Sequence, residues 1–245
     1  MAGVEWGEDI SSAAAAASAL QWWTDAGVDV IVDEAPHDWL RPPAKAVAPA
    51  EMLSAADAAP ELPNQLDLFQ AYLAGSDALA FASPSAPRVC PSGDPASGLM
   101  IMTDMPTSED CSANSLLSGE AGRLFDRMLA AIGRDRGSIY LAALSCLRSP
   151  DGRFNSEAAK GCATLARHHL GLAEPKAVLL FGDAVSKALL GLPMVQARGR
   201  WHEVATHAGP IKALVSLPPS YLLTMPSAKA HAWADLQMLA EELKS

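Results

Sequence analysis

The chain has 245 residues, of which 50% are hydrophobic, 19% charged and 6% aromatic. This composition provides for one buried core and excludes a disulfide-rich miniprotein and a fibrous repeat. The net charge of −10 comes entirely from residues 1–93, which hold 13 acidic and 3 basic residues, whereas residues 94–245 hold 15 of each. The acidic part is unsuited to binding a phosphate backbone. The neutral remainder can still carry a local basic face that binds nucleic acid.

Targeting signals and cysteine spacing give little support to a secreted or membrane protein. Apolar runs are too short for a membrane helix, and Glu5, Glu8 and Asp9 stand where a secretory signal would be basic. We therefore expect a soluble, cytoplasmic protein without a membrane partner. The four cysteines form no C-x-x-C pair, so neither a disulfide framework nor a zinc site is expected.

The N-terminal quarter differs in composition from the rest. Residues 11–26 start with two serines, continue through an alanine run and predict a short helix, whereas residues 35–63 contain six prolines and predict a linker. We expect residues 1–63 to form an acidic leader rich in alanine and proline. Residues 64–245 then form the folded domain.

Strand and helix patterns alternate through this second part. Apolar spacing predicts a helix from Leu66 to near Gly75, and later helices at 119–132, 156–170, 183–190 and 226–243. Short apolar runs at 99–102, 139–144, 177–181 and 211–215 predict four buried strands. The alternation predicts an α/β fold of three α/β/α layers around a mostly parallel four-stranded sheet. Loops after the strands are then the expected place for chemistry.

The loops after three of these strands, taken together, resemble one family. The first reads TDMPTSED at 103–110 and leads to GEAG at 119–122; the second includes CLRSP at 146–150; the last reads LPPSYLL at 217–223. In this order and spacing they resemble the uracil-DNA glycosylase superfamily, above all its bacterial type with an iron–sulfur cluster. The resemblance covers residues 66–245. It implies hydrolysis of the N-glycosidic bond of a uracil-like base that is flipped out of DNA.

The resemblance also implies a site, in which several residues depart from the family. It assigns the substrate pocket to Thr103, Met105, Pro106, Leu117, Ala143 and Pro218. Leu117 stands in place of an aromatic ring, Ala143 (or Ala142, if the strand shifts by one residue) in place of an asparagine, and Pro218 in place of a histidine. Alanine gives no hydrogen bond to the base edge, and proline gives no donor to a departing anion.

Asp104 matches the family's first-loop carboxylate. The resemblance implies that it orients a water molecule and favours positive charge on the sugar; the alternative is a turn or capping aspartate before Pro106. We expect Glu109 and Asp110 to be solvated loop acids. Two functions follow: a glycosylase of weak or altered activity, or an inactive accessory that binds DNA or the sliding clamp.

Other matched positions imply contact with DNA. They are Arg148, Arg153 and Arg198, which suit phosphate, and Ser220 and Tyr221, which follow the last strand as a DNA-facing loop would. For each arginine, an ordinary surface charge is the alternative. We expect a monomer.

The cysteines fall short of the family's cluster, which needs four thiolates. Cys146 and Cys162 match two of the four, but the early C-x-x-C is missing and Cys90 stands alone in that region. We therefore expect no iron–sulfur cluster and no other cofactor.

A second motif lies just after the predicted linker. The sequence QLDLF at 65–69 resembles the pentapeptide by which bacterial repair proteins dock on the sliding clamp. In that interpretation Leu68 and Phe69 fill an apolar pocket and Gln65 hydrogen-bonds at its rim, with Leu66 part of the same docking motif. The alternative is that Leu66 and Phe69 form the buried face of the helix that follows.

Overall fold

The domain is built on a mixed sheet of six strands, in a computed structural model that describes residues 18, 21, 22 and 62–244. The strands are β1 (Ser92–Gly93), β2 (Leu99–Thr103), β3 (Tyr140–Ala143), β4 (Ala177–Phe181), β5 (Trp201–Thr206) and β6 (Gly209–Ser216). Their order across the sheet is β1-β3-β2-β4-β6-β5. The four central strands are parallel, and β1 and β5 pair antiparallel at the edges.

The four predicted strands are confirmed as the four central strands of the sheet. The predicted number of strands was wrong, because both edge strands were missed. Strand β1 has only two residues, which is too short to leave an apolar pattern. Strand β5 lies at an edge and is mostly solvent-accessible, so only Val204 of its six residues is buried. Edge strands of this kind lack the continuous apolar run that marks a strand covered on both faces.

Eight helices longer than a single 3₁₀ turn lie between residues 62 and 244. They are α1 (Leu66–Gly75), α2 (Ser108–Ala113), α3 (Gly119–Ala131), α4 (Ser156–Ala173), α5 (Asp183–Leu190), α6 (Met194–Ala197), α7 (Pro219–Thr224) and α8 (Lys229–Glu242). All five helices predicted in this region are present. The three that were not predicted have six residues or fewer, too few for a periodic pattern. None of the helices in the described ranges is long and apolar enough to span a membrane.

The helices cover both faces of the sheet, because successive strand residues point to opposite sides. Leu99 and Ile101 of β2 face the core formed with α3, α7 and α8. Met100 and Met102 face the second core, formed with α4 and α5. This arrangement confirms the three-layer α/β/α architecture.

Helix α1 shows how the QLDLF segment packs within the domain. Phe69 is fully buried and forms a cluster with Leu73, Leu79, Cys146 and Leu147, whereas Leu68 is 55% exposed. A peptide docked on a clamp needs both aromatic and aliphatic side chains free, so the burial of Phe69 favours the helical alternative. Gln65 precedes the first turn, and Leu66 begins the helix.

The N-terminal predictions fall mostly on residues outside the described ranges. Ser18, Gln21 and Trp22 are helical and exposed, and the rest of the predicted helix at 11–26 lies outside. Of the predicted linker at 35–63, residues 35–61 lie outside the described ranges. The division into a leader and a domain at residue 63 therefore stays a prediction.

Candidate functional site

An open cleft lies at the carboxyl ends of the parallel strands. In the sheet, β3 lies on one side of β2 and β4 on the other, so the order of the strands reverses between β2 and β4. Open α/β sheets bind ligands at such a switch point. The cleft has a volume of about 1540 Å³. Its lining from the strand ends consists of Thr103, Asp104 and Met105 after β2, Leu144 and Arg148 after β3, Asp183 and Ala184 after β4, and Pro218 and Ser220 after β6.

Asp104 is fixed against the start of helix α5. Its Oδ1 accepts a hydrogen bond of 3.2 Å from the backbone N–H of Val185. Gly182 lies so close that a Cβ there would be 2.8 Å from both carboxylate oxygens, and its φ of 100° also favours glycine. No described residue donates to Oδ2, so one oxygen of Asp104 is positioned by the helix start and the other is left for a ligand or water.

Burial raises the pKa of the Asp104 carboxyl to about 6. The hydrogen bond from Val185 opposes this increase in the pKa, and the nearby negative charge of Asp183 adds to it. At neutral pH the group is therefore mostly ionised but remains a usable proton acceptor. A carboxylate with a pKa close to the working pH is suited to general-base catalysis.

Asp110 has a structural role, and its predicted solvation was wrong. The side chain is buried and accepts hydrogen bonds from Thr107 N (2.9 Å), Ser118 N (2.7 Å) and Ser118 Oγ (2.7 Å). It thus ties the start of α2 to the start of α3. Glu109 beside it is exposed and lines the cleft, in agreement with its predicted solvation.

Leu117 lines the cleft from a backbone that is held in place. Its φ of 51° is in the left-handed region, which is uncommon for a leucine. Arg136 donates to the Leu116 carbonyl at 2.9 Å and to the Leu117 carbonyl at 2.6 Å. A Cβ on Gly122 would meet the Leu117 carbonyl oxygen, so the first turn of α3 also packs against this segment. Leu117 is therefore a fixed apolar wall of the cleft.

The predicted pocket residues separate into two groups. Thr103, Met105, Leu117 and Pro218 line the cleft together with Asp104. Pro106 and Ala143 are buried and are absent from its lining, whereas Leu144, the residue after β3, lines it. The position expected for a base-reading asparagine therefore supplies no polar group to this cleft.

Basic side chains gather on the side of the cleft formed by α4 and α5. Arg148 and Arg153, both predicted from sequence, line it and are exposed. The sequence analysis did not single out Lys160, Arg167 and Lys187, which also line it. The spacing of Lys160 and Arg167 places both on one face of a helix, and this was the signal available in the sequence.

Arg198 has a partner inside the protein and is absent from the cleft lining. Its guanidinium pairs with Asp235 at 2.8 Å, and Asp235 also accepts from Ser216 Oγ at 2.7 Å. The Asp235 side chain is 2% exposed and that of Arg198 is 18% exposed. Asp235 on helix α8 is thus joined both to Arg198, which follows α6, and to Ser216 at the end of β6, while Ser220 and Tyr221 remain exposed beside the cleft.

The cysteines do not provide a fitting site for an iron–sulfur cluster. Cys146 and Cys162 line a cavity of only about 20 Å³ that Phe69 and Leu73 also line. Burial raises the pKa of the Cys146 thiol to about 12 and that of the Cys162 thiol to about 11. Between residues 62 and 244, no three His, Cys, Asp or Glu side chains are placed to hold a metal ion.

The fold and the cleft define an α/β protein of the three-layer class, with its site at the carboxyl ends of the central strands. Residues 90–237, more than half of the chain, match the model of the uracil DNA glycosylase superfamily. The chain belongs to that superfamily. It is also similar to a type-4 uracil-DNA glycosylase of Pyrobaculum aerophilum, with 22% identity over 148 aligned residues; the match covers 58% of this chain and 76% of the relative.

The buried position of Asp104 predicts a pH-dependent stability. Because the pKa of Asp104 is raised in the folded state, the folded protein binds the proton more tightly than the unfolded chain does. Unfolding free energy therefore decreases as pH rises from about 4 to above 6. Asp104→Asn removes this penalty, so we expect it to stabilise the protein at pH 7.5 by up to about 3 kcal/mol and to have little effect at pH 4.

Urea unfolding of both proteins at the two pH values measures this difference. The side-chain oxygen of the introduced asparagine can still accept the hydrogen bond from Val185, so the comparison isolates the charge. A destabilised Asp104→Asn protein at pH 7.5 would contradict the described environment of the carboxylate.

The ion pair between Arg198 and Asp235 predicts a large loss of stability when one partner is removed. Asp235→Ala leaves the guanidinium and the Ser216 hydroxyl without their acceptor, and we expect a loss of about 3 to 5 kcal/mol in urea unfolding. Arg123→Ala is the matched control, because it breaks an exposed pair with Glu120. The control should lose less than about 1 kcal/mol. Equal losses of unfolding free energy in the two variants would show that the pair of Arg198 and Asp235 contributes no more to stability than an exposed ion pair.

Proposed function

We propose that this protein is a DNA N-glycosylase that hydrolyses the bond between a damaged base and deoxyribose, with Asp104 as the catalytic carboxylate. The observation that carries the proposal is the Asp104 carboxylate itself. It is partly buried at the switch point of the sheet and lines the cleft, Val185 and Gly182 fix it in place, and its Oδ2 accepts no hydrogen bond from a described residue. Membership of the superfamily supports DNA as the substrate.

In this mechanism Asp104 acts on water and on the sugar. The glycosidic C1′–N bond breaks with its electron pair leaving on the base, and positive charge develops at C1′. The ionised Asp104 stabilises that charge and accepts the proton of the water molecule that attacks C1′. Because Asp104 is fixed before the substrate arrives, its orientation adds no cost during the reaction.

The rim of the cleft supplies groups for the DNA strand. Arg148, Arg153 and Lys160 suit the phosphates, and Ser220 and Tyr221 are exposed on the neighbouring loop. On the opposite side, Glu109 and Glu120 repel phosphate. This asymmetry supports a strand path along the α4–α5 side, with the flipped base directed toward Asp104 and Leu117.

A second candidate function is an accessory protein that keeps the fold and binds DNA without cutting it. Leu117, Ala143 and Pro218 favour it, because each lacks the group that the family uses on uracil. Docking on a sliding clamp through QLDLF would require α1 to leave its place, since Phe69 is buried in the domain.

Base release separates the two functions. We expect purified protein to release free base from oligonucleotides carrying deaminated or alkylated bases, with release increasing as pH rises through about 6, where Asp104 ionises. Asp104→Asn should lower the rate by a factor on the order of 100 or more, the usual effect of losing a general base. Glu157→Gln, an exposed charge change on α4 outside the cleft, is the control. Absence of release from every substrate would support the accessory function.

Gly182 tests the positioning of Asp104. Gly182→Ala places a methyl group where the Asp104 oxygens lie, so we expect base release to decrease at least tenfold and its dependence on pH to shift. Gly191→Ala is the control, because Gly191 also has a positive φ of 71° but has nothing within 4 Å of an added Cβ. Equal rates in the two variants would show that the contact with Gly182 is unimportant.

A further inference from the structure

Of the described residues that line the cleft, only Phe154 is aromatic. It ends the loop after β3 and comes one residue before Asn155, the N-cap of helix α4. The side chain is half-buried, because it packs against the second core and also lines the cleft. A flat apolar ring in the wall of a cleft that takes DNA is suited to stacking on a base.

The ring of Phe154 is braced by a second ring, that of Phe81. The two ring centroids are 5.9 Å apart, and the ring planes are inclined at 56°. Phe81 has a φ of 68°, in the left-handed region that a bulky residue rarely adopts. Backbone conformations of this kind are concentrated at functional sites. The contact with Phe81 and the packing against the second core together limit the movement of the Phe154 ring.

The loop after β3 is tied to the loop after β2, which carries the proposed catalytic carboxylate. Arg148 donates to the carbonyl of Pro106 at 3.2 Å. The Ser149 hydroxyl donates to the sulfur of Met105 at 3.7 Å. The aromatic ring and the carboxylate therefore belong to two loops that are joined to each other.

The charged residues that line the cleft from the loop after β3 and from α4 are all basic. They are Arg148, Arg153, Lys160 and Arg167. The carboxylates of the lining come from residues 104–120 and from Asp183, which pairs with Lys187 on α5. Arg167 is engaged with backbone carbonyls at the end of α5, whereas Arg153 and Lys160 are exposed. Phosphates are therefore best accommodated on the side of the cleft that holds Phe154.

The cleft is also long enough for more than one nucleotide. Helix α4 contributes lining residues from Ala159 to Arg167, eight residues along the chain, which is about 12 Å of helix. A stacked DNA strand rises about 3.4 Å per nucleotide, so this length corresponds to three or four nucleotides. Neighbours of the nucleotide that meets Asp104 can therefore lie along α4.

We propose that Phe154 stacks on a base that neighbours the target nucleotide, so that this side of the cleft takes single-stranded DNA. In a duplex the neighbouring base is paired and stacked within the helix, and it reaches the ring only where the strand is unpaired. Stacking on an aromatic ring tolerates every base, so this contact adds affinity without sequence preference. The inference rests on the proposed function for DNA as the ligand, and it names the form of that DNA.

The test is a double-mutant cycle between the ring and the neighbouring base, measured as binding. Three single-stranded oligonucleotides carry tetrahydrofuran, a base-free sugar analogue, at the target position. Two of them carry a second tetrahydrofuran, at the 5′ or the 3′ neighbour. Fluorescence anisotropy at one salt concentration gives the Kd of the full chain for each.

For the wild type, we expect removal of one of the two neighbouring bases to weaken binding at least fivefold. Phe154→Leu should weaken binding to the first oligonucleotide by a similar factor, and its affinity should not decrease further when the neighbouring base is removed. Phe154→Trp should retain the dependence on that base, because its ring also stacks. Trp233→Leu is the control, since Trp233 is an exposed aromatic residue on α8 outside the cleft lining. It should leave all three affinities unchanged.

Unchanged affinity in Phe154→Leu would overturn the inference, and so would an equal effect of the missing base on the wild type and this variant. Circular dichroism checks folding, and Phe154→Met, which fills similar space without a ring, replaces the leucine variant if that variant does not fold. A wild type that is indifferent to both neighbouring bases would overturn the inference whichever variant folds.

The result does not depend on base release, because every oligonucleotide lacks the target base. Coupling between ring and base in a protein that releases no base would support the inference and leave the accessory function. Base release without coupling would overturn the inference alone. Absence of binding to all three oligonucleotides would overturn it together with DNA as the ligand.

Discussion

The contact between the Asp104 carboxylate and the start of helix α5 is the constraint on which the site depends. Gly182 permits it, because any larger residue would place a Cβ 2.8 Å from the carboxylate oxygens. Val185 N–H then fixes one oxygen, and burial keeps the group close to its protonation midpoint near neutral pH. The rest of the fold brings three further loops around this carboxylate. Its position at the switch point between β2 and β4 follows from the strand order.

The neighbouring segments show how the loops around the cleft are held in place by polar side chains. Asp110 ties together two helix starts, and Arg136 fixes the two successive carbonyls of Leu116 and Leu117. Asp235 accepts from Arg198 and from Ser216, which ties helix α8 to the end of β6, the strand that precedes the loop of Pro218. These contacts make the cleft a fixed shape rather than a set of loose loops. Its chemistry is therefore determined by the few side chains that point into it.

The sequence predicted the central architecture because buried parallel strands and amphipathic helices leave strong local patterns. The apolar runs that contain β2 and β4 are examples, and so is the spacing of Phe125, Met128 and Leu129 in α3. It did not predict β5, since an exposed edge strand has no such pattern. Nor did it predict that Asp110 and Arg198 are used inside the protein, because their partners are 8 and 37 residues away. Asp104 was found from the resemblance, whereas its contact with Gly182 requires three-dimensional information.

The central claim is that Asp104 is a positioned carboxylate whose proton affinity is set by the fold. Carbon-13 NMR titration of protein labelled at aspartate carboxyls measures this most directly, with Asp104→Asn identifying the resonance. The account predicts a midpoint near pH 6 for the resonance that the variant lacks. A midpoint near 3.8, the ordinary value for an aspartate, would contradict it.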